Sequence, residues 1–299
     1  MSNDVAETTR KHLRPAEQPI VESDEFIERA LQHAGIPALM MSMIHMSGDT
    51  ALLDGPIYPN TAILGEIQGF LPQEQQDQVR RQALEVIKQF RDNQCQLPAL
   101  PDAATICRMM SFMVGEDVPE DYVPMMQEEM NLSGEDSRAL HWDGSVTDSQ
   151  KQHFPVVIIG AGVGGVLAGI RLREAGIPFV IVEKNSDVGG TWHENTYPGA
   201  RVDTPNYFYC YSFEPNHDWS QYYSQQPELQ TYLRRCCDEY GVDGHLQLNT
   251  TVTDVVFAEE EEVWRVHLCR KDGSTEVLEA RAVISAVGQL NQPKIPDFP

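Results

Sequence analysis

The chain contains 299 residues, a length that favours about two domains of ordinary size. Its 45 acidic and 22 basic side chains give a net charge of −23, which disfavours binding to nucleic-acid phosphates or to anionic membrane surfaces. No apolar run approaches the ~20 residues of a membrane span, and the first residues lack the apolar stretch of a secretory signal. We therefore expect a cytoplasmic protein. Six scattered cysteines, none in a C-x-x-C pair, predict reduced thiols and no metal site.

The two halves of the chain differ in composition. All eleven methionines lie at or before Met130, whereas 13 of the 21 glycines follow residue 150. This contrast predicts two domains of different architecture, an all-α domain with its linker over residues 1–150 and an α/β domain over 151–299. The polar stretch 131–153 is typical of a linker, which we expect Trp142 to anchor by docking its large ring.

Capping residues and apolar periodicity predict five helices in the first half. These helices run from Ser23 to a stop at Gly35, from Pro37 to about Met46, from Pro72 to about Phe90, from Asp102 through Met113, and from Pro124 through Met130. We expect the methionine clusters on them to lie mostly in the core, an adaptable interaction surface being the alternative. Five short helices indicate a small bundle or an appended helical layer, which we expect to promote assembly into a homo-oligomer.

The second half opens with a strand, a glycine-rich turn, a helix and a second strand. Val156–Ile159 is a β-branched run typical of a buried parallel strand, and Phe179–Val182 is another. Between them lie a G-x-G-x-x-G motif and a helix that stops at Gly176. Further strands are predicted over Leu246–Val256, Val263–Cys269 and Val283–Val287. This order of elements predicts a Rossmann-type βαβ unit.

Each part of the glycine motif has a predicted role. Gly160 permits the tight turn, Gly162 lets the backbone approach a pyrophosphate, and Gly165 allows close packing of helix on strand. The helix N-terminus then offers free N–H groups to the phosphates. Glu183 ends the second strand, where it can accept hydrogen bonds from a ribose 2′-OH and would repel a 2′-phosphate. The motif therefore predicts FAD or NAD at this site, not NADP.

A second glycine pair favours FAD over NAD. Gly189 and Gly190 follow the acidic strand end within a few residues, so another backbone segment can approach the cofactor. The next 23 residues hold seven aromatic side chains, which we expect to wall an isoalloxazine ring. Tyr211 and Phe213 are the exceptions, because their positions fit a hydrophobic core better.

These motifs resemble those of the class B flavin monooxygenases. The resemblance rests on G-A-G-x-x-G, G-G-T-W, N-x-Y-P-G-x-R-x-D over Asn195–Asp203, and A-x-G-Q-L over Ala286–Leu290. Within this class the chain resembles the Baeyer–Villiger monooxygenases, and its helical extension resembles that of the 4-hydroxyacetophenone monooxygenase branch. The likeness is strong over residues 155–299 and weak over 20–150.

The resemblance implies an α/β Rossmann-type FAD-binding domain with a doubly wound sheet, into which an NADPH domain is inserted. It implies that NADPH reduces FAD and that reduced flavin and O2 form a C4a-peroxyflavin. That species converts a ketone into an ester or lactone. The partners implied are thus a small ketone and O2, with no nucleic acid and no membrane.

The same resemblance assigns site residues one by one. It places Gly160, Gly162, Gly164 and Gly165 at the pyrophosphate, Glu183 at the adenosine ribose, Gly190, Thr191, Trp192 and Tyr209 on the flavin side, Val252 at the adenine, and Gln289 near the pyrophosphate. Asp203 would lie beside the flavin and orient a catalytic arginine, a role that suits an ionised carboxylate.

Several elements of the family pattern are absent from the sequence. The NADPH-binding motif, the catalytic arginine and the closing FAD segment have no counterpart, so the NADPH domain is absent from this chain. We therefore expect an incomplete sheet with an open edge, in a fragment or truncated product that is inactive by itself. Two alternatives stay open: a non-catalytic flavin-binding or interaction remnant, and another flavoprotein with two dinucleotide domains, such as an N-hydroxylating monooxygenase.

Overall fold

The chain divides into two compact units, Met1–Ser137 and Arg138–Pro299. The computed structural model describes residues 19–61, 66–132, 134, 136, 138–290 and 295–297. The division precedes the boundary placed at residue 150 because the connecting segment packs on the second unit. Trp142 donates a hydrogen bond from Nε1 to the Ala175 carbonyl over 3.0 Å, and Lys151 Nζ lies 5.0 Å from the indole ring. In the described part of the chain, no helix is both long and apolar enough to cross a membrane.

Helices form the regular structure of the first unit over its described residues. They are α1 (Asp24–Leu31), α2 (Ile36–Ser47), α3 (Gln73–Asp92), α4 (Ala103–Val114) and α5 (Val123–Met130), with 3-10 turns at Ala51–Asp54 and Glu120–Tyr122. Ser23 and Asp102 accept hydrogen bonds from backbone N–H groups in the first turns of α1 and α4, as N-caps do.

The predicted stop of α1 at Gly35 is wrong. The helix ends at Leu31, and Gly35 has φ −71° and ψ 124°, an extended conformation. Its carbonyl accepts the N–H of Leu39, so Gly35 caps the start of α2 instead of the end of α1. The reason is packing, because Ile36 is fully buried and begins a second helix at once.

The methionine clusters belong to the core of the first unit. Met40 and Met43 on α2 are buried in one cluster with Val79 and Ala83 on α3. Met110 lies in a second cluster, formed by α4 and α5. The apolar thioethers of these methionines fill the space between helices. Because they are buried, they do not form the interaction surface that was the alternative.

The second unit contains a four-stranded parallel sheet. Its elements are α6 (Asp148–Gln152), β1 (Val156–Ile159), α7 (Val163–Ala175), β2 (Phe179–Val182), α8 (Thr191–Glu194), α9 (Gln226–Glu239), β3 (Leu246–Gln247), β4 (Thr250–Ala258), β5 (Val263–Arg270), β6 (Thr275–Ala280) and β7 (Ala282–Ser285). The strand order is β3-β2-β1-β7, with Val156 opposite both Phe179 and Ala282. The predicted Rossmann-type α/β unit is confirmed.

Alternation along the strands distributes side chains to two faces of this sheet. Val156 and Ile158 of β1 pack in one cluster with α7 and α9. Val157, between them, packs instead with Val266 and Leu268 of the antiparallel sheet β4-β5-β6. The parallel sheet is therefore covered by helices on one face and by a three-stranded sheet on the other.

The predicted strand Leu246–Val256 is wrong as a single element. Its first two residues form β3 at one edge of the parallel sheet, and the remainder, from Thr250, forms β4 in the antiparallel sheet. Asn249 separates them with φ +52°, a left-handed conformation that turns the chain from one sheet to the other. Thr250 remains tied to the end of β2, because its N–H donates to the Glu183 carbonyl over 2.9 Å.

The other edge of the parallel sheet is β7. Among the described residues, β7 pairs with β1 and with no further strand. Val287 and Leu290, which follow it, are exposed apolar side chains. The open edge lies beside the carboxyl end of β1, where the glycine-rich turn begins.

Candidate functional site

A cavity of about 560 Å³ lies at the carboxyl ends of β1, β2 and β7. This is the position at which open α/β sheets bind ligands. Ten of the twelve predicted site residues line it: Gly160, Gly162, Gly164, Glu183, Gly190, Thr191, Trp192, Tyr209, Val252 and Gln289. Gly165 and Asp203 are not among the lining residues. The structure thus brings together residues that lie up to 129 positions apart in the sequence.

The turn after β1 and the first turn of α7 each require a glycine. Gly160 has φ +100°, and a Cβ there would lie 2.6 Å from the carbonyl oxygen of Ala286, just after β7. A Cβ on Gly165 would lie 1.8 Å from the Gly160 carbonyl oxygen. The lack of a Cβ on Gly165 therefore lets α7 pack closely against the Gly160 carbonyl, and the place of Gly165 at a pyrophosphate stays a prediction.

Two glycine segments meet backbone to backbone at the floor of the cavity. A Cβ on Gly190 would lie 2.9 Å from the Cα of Gly162, and Gly190 has φ +52° and ψ −115°, a conformation that favours glycine. A Cβ on Gly162 would lie 3.6 Å from the Cα of Gly190, an ordinary contact, so the close approach restricts Gly190 more than Gly162. The absence of side chains leaves a cradle walled by backbone.

The cradle also faces the N-terminus of α7. This helix begins at Val163, so the N–H groups of its first turn have no partner within the helix. Their partial positive charge favours a phosphate group in the cavity. The glycine walls and the helix end together fit the pyrophosphate of a dinucleotide.

Glu183 has a structural role that the sequence did not reveal. Its two carboxylate oxygens accept hydrogen bonds from the backbone N–H groups of Ala161, over 2.7 Å, and Asn185, over 2.9 Å. The side chain is only 5% exposed. Because each carboxylate oxygen offers a second lone pair, the group fits a ribose diol while it also holds the glycine turn.

A charged rim near Glu183 was also missed from the sequence. Lys184 Nζ lies 2.8 Å from Glu194 Oε1, and Asn185 Nδ2 donates to the same oxygen over 2.9 Å. Burial acts to raise the pKa of Glu194, but these two partners more than offset it and hold that pKa below its usual value. Their place in the sequence could have indicated these residues. Lys184 and Asn185 directly follow Glu183, and Glu194 lies two residues after Trp192.

Two aromatic side chains contribute to the lining of the cavity. Trp192 and Tyr209 both line it, and the indole Nε1 of Trp192 donates to the Tyr209 hydroxyl. Together with Val163 they also border a second, mainly apolar cavity of about 200 Å³. Tyr211 and Phe213 are buried in the core as predicted, whereas Tyr197, Tyr207 and Phe208 are exposed. The predicted aromatic wall is therefore reduced, along the larger cavity, to Trp192 and Tyr209.

Asp203 is exposed and is not among the residues that line the cavity. Its nearest hydrogen-bond partner among the described residues is the Thr204 hydroxyl, 3.4 Å from Oδ1. Arg201, in the same motif, forms a short bridge to Gln225. The position of Asp203 beside a flavin, and its orientation of an arginine, stay predictions.

Comparison with known proteins shows which families this chain resembles. The family description "NAD(P)-binding Rossmann-like domain" matches residues 158–225. The chain is 38% identical over 149 residues to a Baeyer–Villiger monooxygenase of Streptomyces coelicolor, covering 50% of this chain and 28% of that protein. The chain is related to the class B flavin monooxygenases.

The similarity to this monooxygenase family also extends into the helical unit. An uncharacterized monooxygenase, y4iD, of Sinorhizobium fredii is 31% identical over 275 residues, covering 91% of this chain and 40% of that protein. Among solved structures, a complex of OTEMO with FAD and NADP is 37% identical, covers 49% of this chain and 28% of that chain, and superposes with a TM-score of 0.45. The chain thus spans less than half the length of the two monooxygenases it matches in sequence.

Proposed function

We propose that the second unit binds FAD in the cavity and forms part of an NADPH-dependent Baeyer–Villiger-type monooxygenase that oxidises a ketone with O2. The observation that carries this proposal is the backbone contact between Gly162 and Gly190 beside the N-terminus of α7. A dinucleotide fold needs the first glycine, and the second brings another backbone segment to the cofactor. Bound FAD would supply the redox and oxygen-transfer chemistry.

Each group of cavity residues would contact a different part of the cofactor. Gly160, Gly162 and Gly164 would hold the pyrophosphate with the first N–H groups of α7, and Gln289 would lie near it. Glu183 would bind the adenosine ribose. Val252 would meet the adenine through its backbone. Thr191, Trp192 and Tyr209 would contact the flavin side, and Asp203 would orient an arginine of the whole protein.

Titration of the purified chain with FAD tests this proposal. We expect flavin fluorescence to be quenched on binding, and we expect NAD to compete only weakly. Tight NAD binding without FAD binding would contradict the proposal and favour a simple NAD domain. Binding of neither nucleotide would favour a remnant that acts only through interactions.

Anaerobic addition of NADPH to the FAD-loaded chain separates binding from catalysis. We expect the flavin absorbance to persist, since the NADPH-binding motif of the family is absent from this sequence. In the whole protein, ketone-dependent consumption of NADPH and O2 is expected. Consumption that depends on an amine or an aromatic nitrogen, and not on a ketone, would favour the N-hydroxylating alternative.

We also propose that the first unit is an all-α domain that promotes self-association. Its described elements are helices, and exposed apolar side chains such as Phe26, Phe70 and Leu100 offer contact area. Light scattering over a dilution series tests this. A mass of one chain, 33.6 kDa, at every concentration would contradict it.

A further inference from the structure

Tyr211 is a buried side chain that connects two helices of the second unit. Its hydroxyl donates a hydrogen bond to the carbonyl oxygen of Val163, the first residue of α7, over 2.7 Å. Its backbone N–H donates to the hydroxyl of Tyr232 on α9, over 2.8 Å. Both groups of Tyr211 are therefore tied to helices that pack on the same face of the parallel sheet.

The contact on α7 lies in the turn that faces the cavity. Val163, whose carbonyl accepts this bond, begins α7 and lines the larger cavity. The hydroxyl thus lies against the opening turn of the helix from the core side. The free N–H groups of that turn point toward the cavity from the helix end.

Neighbouring rings hold Tyr211 in this position. Phe213 stacks on it with centroids 5.2 Å apart and planes 5° from parallel, and the Arg171 guanidinium of α7 lies 4.5 Å from the Phe213 centroid. The Tyr232 hydroxyl, which accepts the Tyr211 N–H, donates in turn to the Glu214 carbonyl over 2.8 Å. Each of these contacts limits movement of the phenol relative to α7.

The same short segment also holds the other wall of the cavity. Tyr209, two residues before Tyr211, accepts the indole N–H of Trp192 in α8. Residues 209–214 therefore contact α7 through one tyrosine and the Gly190–Trp192 segment through another. These are the two backbone segments that meet at the cradle.

We propose that Tyr211 is a positioning residue for the cofactor site, which sets the first turn of α7 against the Gly190–Trp192 segment so that both reach one pyrophosphate. This inference rests on the proposed function. It assigns to a core tyrosine a role in ligand geometry in addition to its packing. Tyr211 lines the smaller cavity and is not among the residues that line the larger one, so its phenol acts on the cofactor site through the Val163 carbonyl.

The test compares Tyr211→Phe with Tyr240→Phe. Tyr240 is buried in the same cluster, but its hydroxyl donates to the Glu214 carboxylate over 2.9 Å and not to α7. For Tyr211→Phe we expect faster amide hydrogen exchange in the first turn of α7. We also expect a five- to tenfold higher Kd for FAD, about the effect of one buried hydrogen bond. The 31P resonances of the bound pyrophosphate should shift. Tyr240→Phe should leave the exchange, the Kd and the 31P resonances near those of the unaltered chain.

Exchange of α7 is measured without ligand, so it separates this inference from the proposed function. If the unaltered chain binds no FAD, the proposed function fails, but faster amide exchange in Tyr211→Phe would still support the positioning role of Tyr211. If the exchange, the Kd and the 31P resonances of Tyr211→Phe all match those of the control, the positioning role is overturned. Should Tyr211→Phe not fold, Tyr232→Phe is the second variant: it releases the Tyr211 N–H and the Glu214 carbonyl but keeps the Tyr211 phenol, and it is expected to show the same changes to a smaller extent. Unaltered amide exchange of α7 in that variant would also overturn the positioning role of Tyr211.

Discussion

The indole Nε1 of Trp192 donates a hydrogen bond to the phenol oxygen of Tyr209 over 3.0 Å, and the two rings meet edge to face at 88°. Trp192 lies in α8, whereas Tyr209 follows the 3-10 turn Asn206–Phe208. The bond therefore joins two segments that are adjacent only in the folded chain. Since both side chains line the larger cavity, it joins two aromatic side chains of the proposed cofactor site.

Replacement of Tyr209 by Phe tests this bond. The substitution keeps the ring but leaves the buried indole N–H of Trp192 without its acceptor. We expect the free energy of unfolding to fall by about 1–3 kcal/mol, as for other buried unpaired donors. Urea denaturation measures this. Tyr207→Phe is the matched control, because Tyr207 is exposed and its loss should change stability by less than about 0.5 kcal/mol. Equal effects of the two substitutions would contradict the interpretation.

Gly190→Ala should block the cofactor site. Its Cβ would lie 2.9 Å from the Cα of Gly162, and the backbone conformation of Gly190 is strained for any other residue by about 1–3 kcal/mol. We expect FAD affinity to fall at least about tenfold, which corresponds to ~1.4 kcal/mol. Flavin fluorescence quenching measures the affinity.

Gly244→Ala serves as the control for that substitution. A Cβ at Gly244 would meet no atom within 4 Å, and its backbone lies outside the left-handed region. We expect unchanged FAD binding. If Gly190→Ala binds FAD as tightly as Gly244→Ala, the cradle is not the cofactor site.

Asn206→Ala should loosen the stretch that carries Asp203 and Tyr209. The buried Asn206 amide accepts the N–H of Ser224 over 2.8 Å and donates to the Gln221 carbonyl over 2.6 Å. Removal of the amide leaves both backbone groups unpaired, so we expect a loss of about 2–4 kcal/mol in unfolding free energy. Thermal denaturation measures it, and Asn206→Asp, which keeps one acceptor, should lose less. An alanine variant as stable as the unaltered chain would show that these bonds contribute nothing.

Stability should fall at alkaline pH because of two buried thiols. Burial is the main reason that the pKa of Cys236 rises to about 12 and that of Cys237 to about 11, from an ordinary value of 9.0. Above pH 9 the unfolded chain releases these protons while the folded chain retains them. The contribution of these two thiols to the free energy of unfolding should therefore be constant below pH 9. It should decrease from about pH 9 toward pH 11.

Urea unfolding between pH 7.5 and 10 measures this trend. A variant with Cys236→Ala and Cys237→Ala is expected to be less stable overall, because it loses packed volume. Its stability should nevertheless decline less steeply above pH 9. A decline as steep as in the unaltered chain would assign the effect to other groups, such as the buried Tyr232, whose pKa burial also raises.

Local signals predicted most elements of the second unit and failed where packing decided the outcome. The turn between Val182 and Gly190 illustrates this: Glu183 was predicted as a ribose ligand from its place at a strand end, but its bonds to Ala161 and Asn185 depend on two loops meeting in space. Likewise, nothing in the local pattern separates β3 from β4. That break depends on a left-handed Asn249 and on two different sheets.

The sequence by itself determined the βαβ unit, the glycines of the turn and the relationship to flavin monooxygenases. These features depend on residue type at short spacing, since a tight turn tolerates only glycine and a buried strand favours β-branched residues. The tertiary structure alone decided that Gly162 meets Gly190 and that Tyr209 and Tyr211 contact α8 and α7. It also left Asp203 outside the cavity lining. Such pairings join segments distant in the chain, and they follow from how the helices and sheets bury their apolar faces together.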